Sequence, residues 1–235
     1  MIMYNGSGKV PVRTYSGGKE ICMDKTYKLG KIAADADIFA AAEHGLHAVI
    51  GEYRWQSDYT PRAEAFVAVS GDALRICLTA WEEKIRAEGS ARNDMVCLDS
   101  CLEFFFAPIP GSLAYFNFEF NPHGTMYVGF SPAGTRESSE KITDAPDNAY
   151  FRVETRQTLG RGADSRWQVG FDIPFAFIRR FVPDFDIYRN GGIRGNFYKC
   201  GDKTEIPHWG SWNPIGTEGP DFHRPEYFGE ISLCE

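Results

Sequence analysis

Asp99 to Asn121 reads DSCLEFFFAPIPGSLAYFNFEFN, and its alternation decides the fold class. Two apolar-rich runs flank a Pro/Gly turn. Successive side chains of an extended chain point to opposite faces, so each run divides into two sets. Leu102, Phe104 and Phe106 share one face of the first run; Phe116, Phe118 and Phe120 share one face of the second. Opposite them stand Asp99, Cys101 and Glu103, then Tyr115, Asn117, Glu119 and Asn121. The phenylalanine set predicts a sheet core. With the turn centred near Pro110, Glu103 is expected across from Asn117, with Tyr115 and Glu119 as diagonal neighbours.

Outward from this hairpin, most of the chain repeats the pattern. Residues 1–30 are polar and turn-rich, which predicts an edge strand or an arm. Ala33 to His44 predicts a short helix, with Asp35 or Asp37 as N-cap and Gly45 as the stop. Glu64–Ser70 and Leu74–Thr79 flank Gly71-Asp72, a hairpin-type turn. Trp81 to Glu88 reads equally as a helical turn or an irregular strand extension. Further strands are expected over Thr125–Phe130, Ala149–Gln157, Arg166–Ile173, Gly195–Cys200 and Phe228–Cys234. Gly160 to Asp164 (GRGAD) reads as another hairpin turn rather than a phosphate loop. Pro174 opens a short helical turn that Pro183 ends. Many short strands, one or two short helices, no repeat and no linker run predict an all-β chain. The expected architecture is a single antiparallel β-sandwich domain over residues 1–235, with 1–50 partly irregular.

Composition narrows the function classes. The 235 residues include 18 Phe, 11 Tyr and 5 Trp, enough aromatic surface for a large core; each ring contributes on the order of 1.5–3 kcal/mol when buried. Lys and Arg number 25 against 32 Asp and Glu, a net charge of −7 without any basic run. That disfavours nucleic acid and anionic membrane as partners. No stretch approaches the roughly 18 apolar residues of a membrane span. The opening MIMYNGSGKVPVRTYSGG has no apolar h-region, so a cytoplasmic location is expected, or a secreted one if a leader has been removed. Of the six cysteines (Cys22, Cys77, Cys97, Cys101, Cys200, Cys234), Cys97 and Cys101 are four apart. No second close pair completes a zinc pattern, so reduced thiols are the expectation.

Five separated segments, in order, carry a family resemblance: DSCLEFFF, YFNFEFNPHG, NFYKCGD, HWGSWNPI and DFHRPEYFGEISL. Together they resemble the carbohydrate-binding module family 9-like proteins, from about Trp55 onward. The resemblance implies an immunoglobulin-like β-sandwich of the type shared with DOMON domains, without catalysis of its own. It also implies a saccharide site near tryptophans and, in the best-known modules, bound calcium. Calcium ligands would come from Asp94, Asp99, Asp144 or Asp147 with backbone carbonyls.

Two constellations could form the site. The first is the polar sheet face: Glu103, Tyr115, Asn117 and Glu119, joined by Arg194, Asn196 and Tyr198 and by Arg166, Gln168 and Asp172. Sugar hydroxyls both donate and accept, and such groups satisfy both. The competing reading is a solvated face or a buried polar brace. The second is aromatic: Trp209 and Trp212 in HWGSWNP, with Trp81, Tyr53 or Trp55 as a second ring. The same two tryptophans could instead plug the sandwich end. Trp167 alternates with Val169 and Phe171 and reads as core.

Non-catalytic saccharide binding is the leading expectation. A glycosidase using Glu103 and Glu119, a sandwich that has lost its ligand, and a haem module using Met126 with His208 or His223 are the alternatives. No HExxH, GxSxG or phosphate-loop motif is present.

Overall fold

The computed structural model describes residues 25–158 and 165–234. Residues 1–24 of the expected N-terminal arm, with Cys22, and the whole GRGAD turn lie outside the described residues. Within them the strands are β1 (Thr26–Lys31), β2 (Ala48–Ile50), β3 (Ala63–Ser70), β4 (Ala73–Trp81), β5 (Cys101–Ala107), β6 (Tyr115–Phe120) and β7 (Met126–Ser131). They continue with β8 (Glu140–Lys141), β9 (Glu154–Thr158), β10 (Arg166–Pro174), β11 (Gly192–Cys200), β12 (Trp209–Ser211) and β13 (Gly229–Leu233). Three short α-helices lie among the described residues: α1 (Ile38–His44), α2 (Phe175–Arg179) and α3 (Ile187–Asn190).

The strands form one hydrogen-bonded path that folds into two facing layers. Its order is β8-β7-β6-β5-β11-β13-β1-β3-β4-β10-β9, with β2 added to β3 and β12 to β11. The first layer runs from β8 to β13 and the second from β3 to β9. β1 is the seam. Its Thr26–Leu29 pairs with β13 and its Gly30–Lys31 with β3, in both cases parallel. The expected β-sandwich is therefore present, antiparallel everywhere except at this strand. TYKLGK offers only Tyr27 and Leu29 to the core, which is why it reads as an edge or arm although it joins the layers.

The inner faces make the core that the alternation predicts. Leu102, Phe104, Phe106, Phe116, Phe118 and Phe120 are fully buried against Val67, Ile76, Leu78, Val169 and Phe171 of the other layer. Phe120 and Phe171 meet at 4.5 Å between ring centroids. Trp167 lies in this core as expected, and its indole N–H donates to Glu82. Rings of this size dominate core energetics.

The hairpin register differs from the expected one by two residues. Glu103 faces Glu119, and Asn117 faces Phe105. The pairing is symmetric about Gly111, whose φ of +85° supplies a left-handed bend, rather than about Pro110. Other bounds move less. α1 begins at Ile38 because the Asp37 carboxylate accepts from the Phe39 and Ala40 N–H groups. β9 covers only the end of Ala149–Gln157, and Trp81 closes β4 before an irregular segment. α2 follows Pro174, which caps it from outside.

Candidate functional site

The outer face of the first layer is not solvated. Cys101, Glu103, Phe105, Tyr115, Asn117, Glu119, Asn196, Tyr198 and Cys200 are all buried. The segment before β5 and the long excursion between β11 and β13 fold over them. Val96, Ile215, Phe222 and Phe228 bring the apolar cover, and Phe222 stacks on Tyr198 at 4.1 Å. The cover leaves one opening over the middle of the face, a cavity of about 170 Å³. Glu103, Glu119, Phe105 and Cys200 form its floor, Phe222 and His223 a wall, and Met95, Arg136, Asp202, Trp209 and Asp221 its rim. The Arg136 guanidinium donates to Asp221 across that rim at 3.0 Å. Trp209 is half-buried, and its indole N–H donates to Asp202 Oδ1 at 2.7 Å, which fixes the ring.

The floor is acidic and holds its protons. Burial, then the facing Glu119, pushes the Glu103 carboxyl well above the usual carboxylate range. Burial also raises Glu119 to about 7, although the Asn117 amide donates to its Oε1 at 2.8 Å. Two like groups opposed on neighbouring strands cannot both ionise cheaply, so the pair keeps a proton. The Cys200 thiol donates to Glu103 Oε1 at 3.0 Å. Asn117 Oδ1 is buried and has no hydrogen-bond partner among the described residues. Gly129 lies directly across: a Cβ there would come within 2.4 Å of that oxygen. Tyr115 hydrogen-bonds His223 Nδ1 at 2.7 Å, and burial moves the phenol up to about 12 and the imidazole down to about 4.

The structure thus gathers four of the expected residues around one opening: Glu103 and Glu119 on the floor, Trp209 at the rim, and Tyr115 behind His223. Asn117 supports Glu119 from the side. The others belong elsewhere. Trp212 is buried in the inner core against Phe197 at 5.6 Å, so it cannot stack on a ligand. Asn196 is a brace: its Oδ1 accepts from Asn213 N–H at 2.8 Å and its amide donates to the Asn213 carbonyl at 2.9 Å. Arg194 donates to the Phe228 carbonyl and lines a different depression, beside Asn190 and Glu230. Trp81 lies at the end of β4 beneath the Arg62 guanidinium, 3.9 Å from its ring centre. Trp55 packs on Phe222 as cover. Arg166, Gln168 and Asp172 sit on β10 in the second layer, so they cannot join the floor. Asp172 is bound there by Arg75 at 2.8 Å.

The four candidate calcium ligands do not converge. Asp99 Oδ2 accepts from the N–H groups of Glu88 and Gly89 and from the Asn121 amide. Asp94 caps Ser90 and Ala91, Asp144 pairs with Arg180, and Asp147 caps Tyr150. These oxygens serve the fold, and the residues present do not fit a calcium cage. The Met–His pairing for haem fails as well. Met126 is in the inner core, His223 is held by Tyr115, and His208 belongs to a separate buried cluster.

In that cluster Lys199 Nζ lies 3.1 Å from Glu82 Oε1 and donates to His208 Nε2 at 2.8 Å and to the Cys200 carbonyl at 2.7 Å. Ser100 and Trp167 donate to the same carboxylate. The His208 Nδ1–H reaches the Ile206 carbonyl, and burial, then Lys199, lowers this imidazole to about 4.

Missed from sequence were Arg136, Asp202, Asp221, Phe222 and the wall role of His223, all on loops. Trp209 and Trp212 did carry a readable signal. Their spacing of three places them on opposite sides of an extended segment.

A two-layer β-sandwich with a small acidic, aromatic-rimmed pocket on one outer face is the architecture of a ligand-binding module. The chain belongs to carbohydrate-binding family 9, whose family model matches residues 37–233. Among solved structures it is similar to a candidate carbohydrate-binding protein from Bacteroides uniformis ATCC 8492. That match has 28% identity and a TM-score of 0.72, and covers 90% of this chain and all of that one. A family 9 carbohydrate-binding module from Caldicellulosiruptor kristjanssonii, solved with glucose and with cellotriose, is 15% identical with a TM-score of 0.56 in both cases. The glucose complex covers 89% of this chain and 95% of that one, and it shows the shared fold. No curated protein matches the chain.

Proposed function

We propose that the pocket above Glu103 and Glu119 binds one end of a saccharide without catalysis. The observation that carries this reading is the convergence of a carboxyl pair that keeps a proton with a fixed, half-exposed indole. A protonated carboxyl offers both an O–H donor and acceptor oxygens, which matches a sugar hydroxyl. Trp209 presents an apolar ring at the rim, and Asp202 holds it in place. The cavity is smaller than the roughly 300–1,000 Å³ of drug-sized ligand sites, so it suits one pyranose with the rest of a glycan outside. The family membership supports saccharide binding, and so does the Caldicellulosiruptor module, which was solved with glucose and cellotriose.

Titration with glucose and short cello-oligosaccharides, followed by tryptophan fluorescence and calorimetry, tests this. Saturable quenching is expected, lost in Trp209→Ala and retained in Trp81→Ala. Absence of any response up to about 50 mM, a free energy weaker than roughly −2 kcal/mol, would sink the reading. One observation favours a second reading, the direct opposition of Glu103 and Glu119. If that pair hydrolyses glycosides, an aryl-glycoside panel will show turnover that disappears in Glu103→Gln; inert behaviour removes it.

A further inference from the structure

We propose that Cys101, Glu103 and Cys200 bind a thiophilic divalent cation, zinc by its chemistry, at the floor of the pocket, with Cys101 buried beneath it. Their two sulfurs and a carboxylate oxygen lie within 4.8 Å of one another, and all three residues are buried. The backbone fixes this grouping. Cys101 and Cys200 are directly opposed on β5 and β11, and Glu103 follows Cys101 by two residues on the same face. Donors on paired strands are held more firmly than donors on loops.

The geometry needs little adjustment. Zn–S and Zn–O bonds of about 2.3 and 2.0 Å in a tetrahedron put ligand atoms roughly 3.3–3.8 Å apart. Side-chain torsions must therefore close separations of at most 4.8 Å by about 1 Å, and open the Cys200 Sγ–Glu103 Oε1 contact of 3.0 Å by about half an ångström. Two sulfur ligands exclude calcium and magnesium, which take oxygen, and favour zinc. Glu103 and Cys200 line the cavity, which gives a water access to complete the shell.

The proton balance is explicit. In the metal-free protein the Cys200 thiol donates to Glu103, and both thiols and the carboxyl hold protons. The cation takes their place, bonding two thiolates and a carboxylate while up to three protons leave to solvent. Cys77 is the contrast. It is equally buried, but its hydrogen-bond neighbours are the Thr79 hydroxyl and the Gln168 amide, and it joins no cluster of ligand atoms among the described residues. It is a packed thiol and nothing more.

The test uses the full chain, reduced and anaerobic, titrated with Co²⁺ and then with Zn²⁺. One Co²⁺ per chain is expected, with a thiolate-to-cobalt charge-transfer band and tetrahedral d–d bands that zinc abolishes. Cys101→Ser and Cys200→Ser should lose the band, and Cys77→Ser should keep it. Should a serine variant not fold by circular dichroism, Glu103→Gln takes its place, with zinc affinity lowered at least about tenfold. No band in the folded wild type overturns the proposal, as does a band that survives loss of Cys101 and Cys200. No saccharide is present in the assay, so its failure leaves the saccharide reading standing, and the reverse holds too.

Discussion

Two buried glutamates flank β11, and their surroundings could hardly differ more. Glu82 is met by an ammonium, a hydroxyl and an indole N–H. Glu103 is met by a thiol and by a second carboxyl. The strand itself makes the division: Lys199 leaves one side toward Glu82, and Cys200 leaves the other toward Glu103. A buried carboxylate with a cation and several donors is a finished interaction, in which the loss of either partner is costly. A buried carboxyl opposed by another acid has capacity left over, for a hydroxyl or a cation. The difference separates a brace from a binding floor.

The comparison is broken most forcefully at Lys199. Lys199→Met leaves the Glu82 carboxylate buried without its cation and should cost about 3–5 kcal/mol, read from urea unfolding. A loss near zero would mean that Glu82 is no brace. A smaller effect comes from His208, the third member of that cluster. Its folded-state pKa of about 4 lies below the ordinary 6.5. The unfolded chain therefore takes up a proton first as pH falls, and the stability of the neutral imidazole is lost between 6.5 and 4. The stability difference between wild type and His208→Gln should shrink by roughly 2–3 kcal/mol across that window. Taking the difference cancels the opposite contribution of Glu119. Glu103→Gln keeps a donor and an acceptor in place and removes a like-charge neighbour, so its stability should stay within about 1 kcal/mol of wild type. A loss comparable to that of Lys199→Met would make the floor a second brace. Smallest of all is Lys84→Ala. Lys84 pairs with Glu205, and both are exposed, so the melting temperature should not move.

The hairpin was legible because its period is strict and its apolar set is entirely phenylalanine and leucine. Faces follow from parity alone, and the core they predict is the core observed. Register does not follow from parity, since a shift of two keeps every side chain on its face. That is how Glu103 came to face Glu119 instead of Asn117. The cover over the polar face was also hidden. It consists of loops whose landing place depends on contacts more than a hundred residues away in sequence, as between Tyr115 and His223. Trp212 illustrates the same limit from the other side: a tryptophan in a Gly/Pro-rich loop suggests exposure, yet the loop re-enters the core there.

The seam strand sets the order in which the molecule can be completed. Thr26–Leu29 finds its partner in Glu230–Leu233, about two hundred residues later. During synthesis, the first strand described must wait for the last before the two layers can be joined. Until then the phenylalanine faces of β5 and β6 have no fully assembled layer to close on, which favours slow folding. Refolding of the full chain should accordingly be much slower than that of a helical protein of equal size, with the protection of β1 amides arriving last.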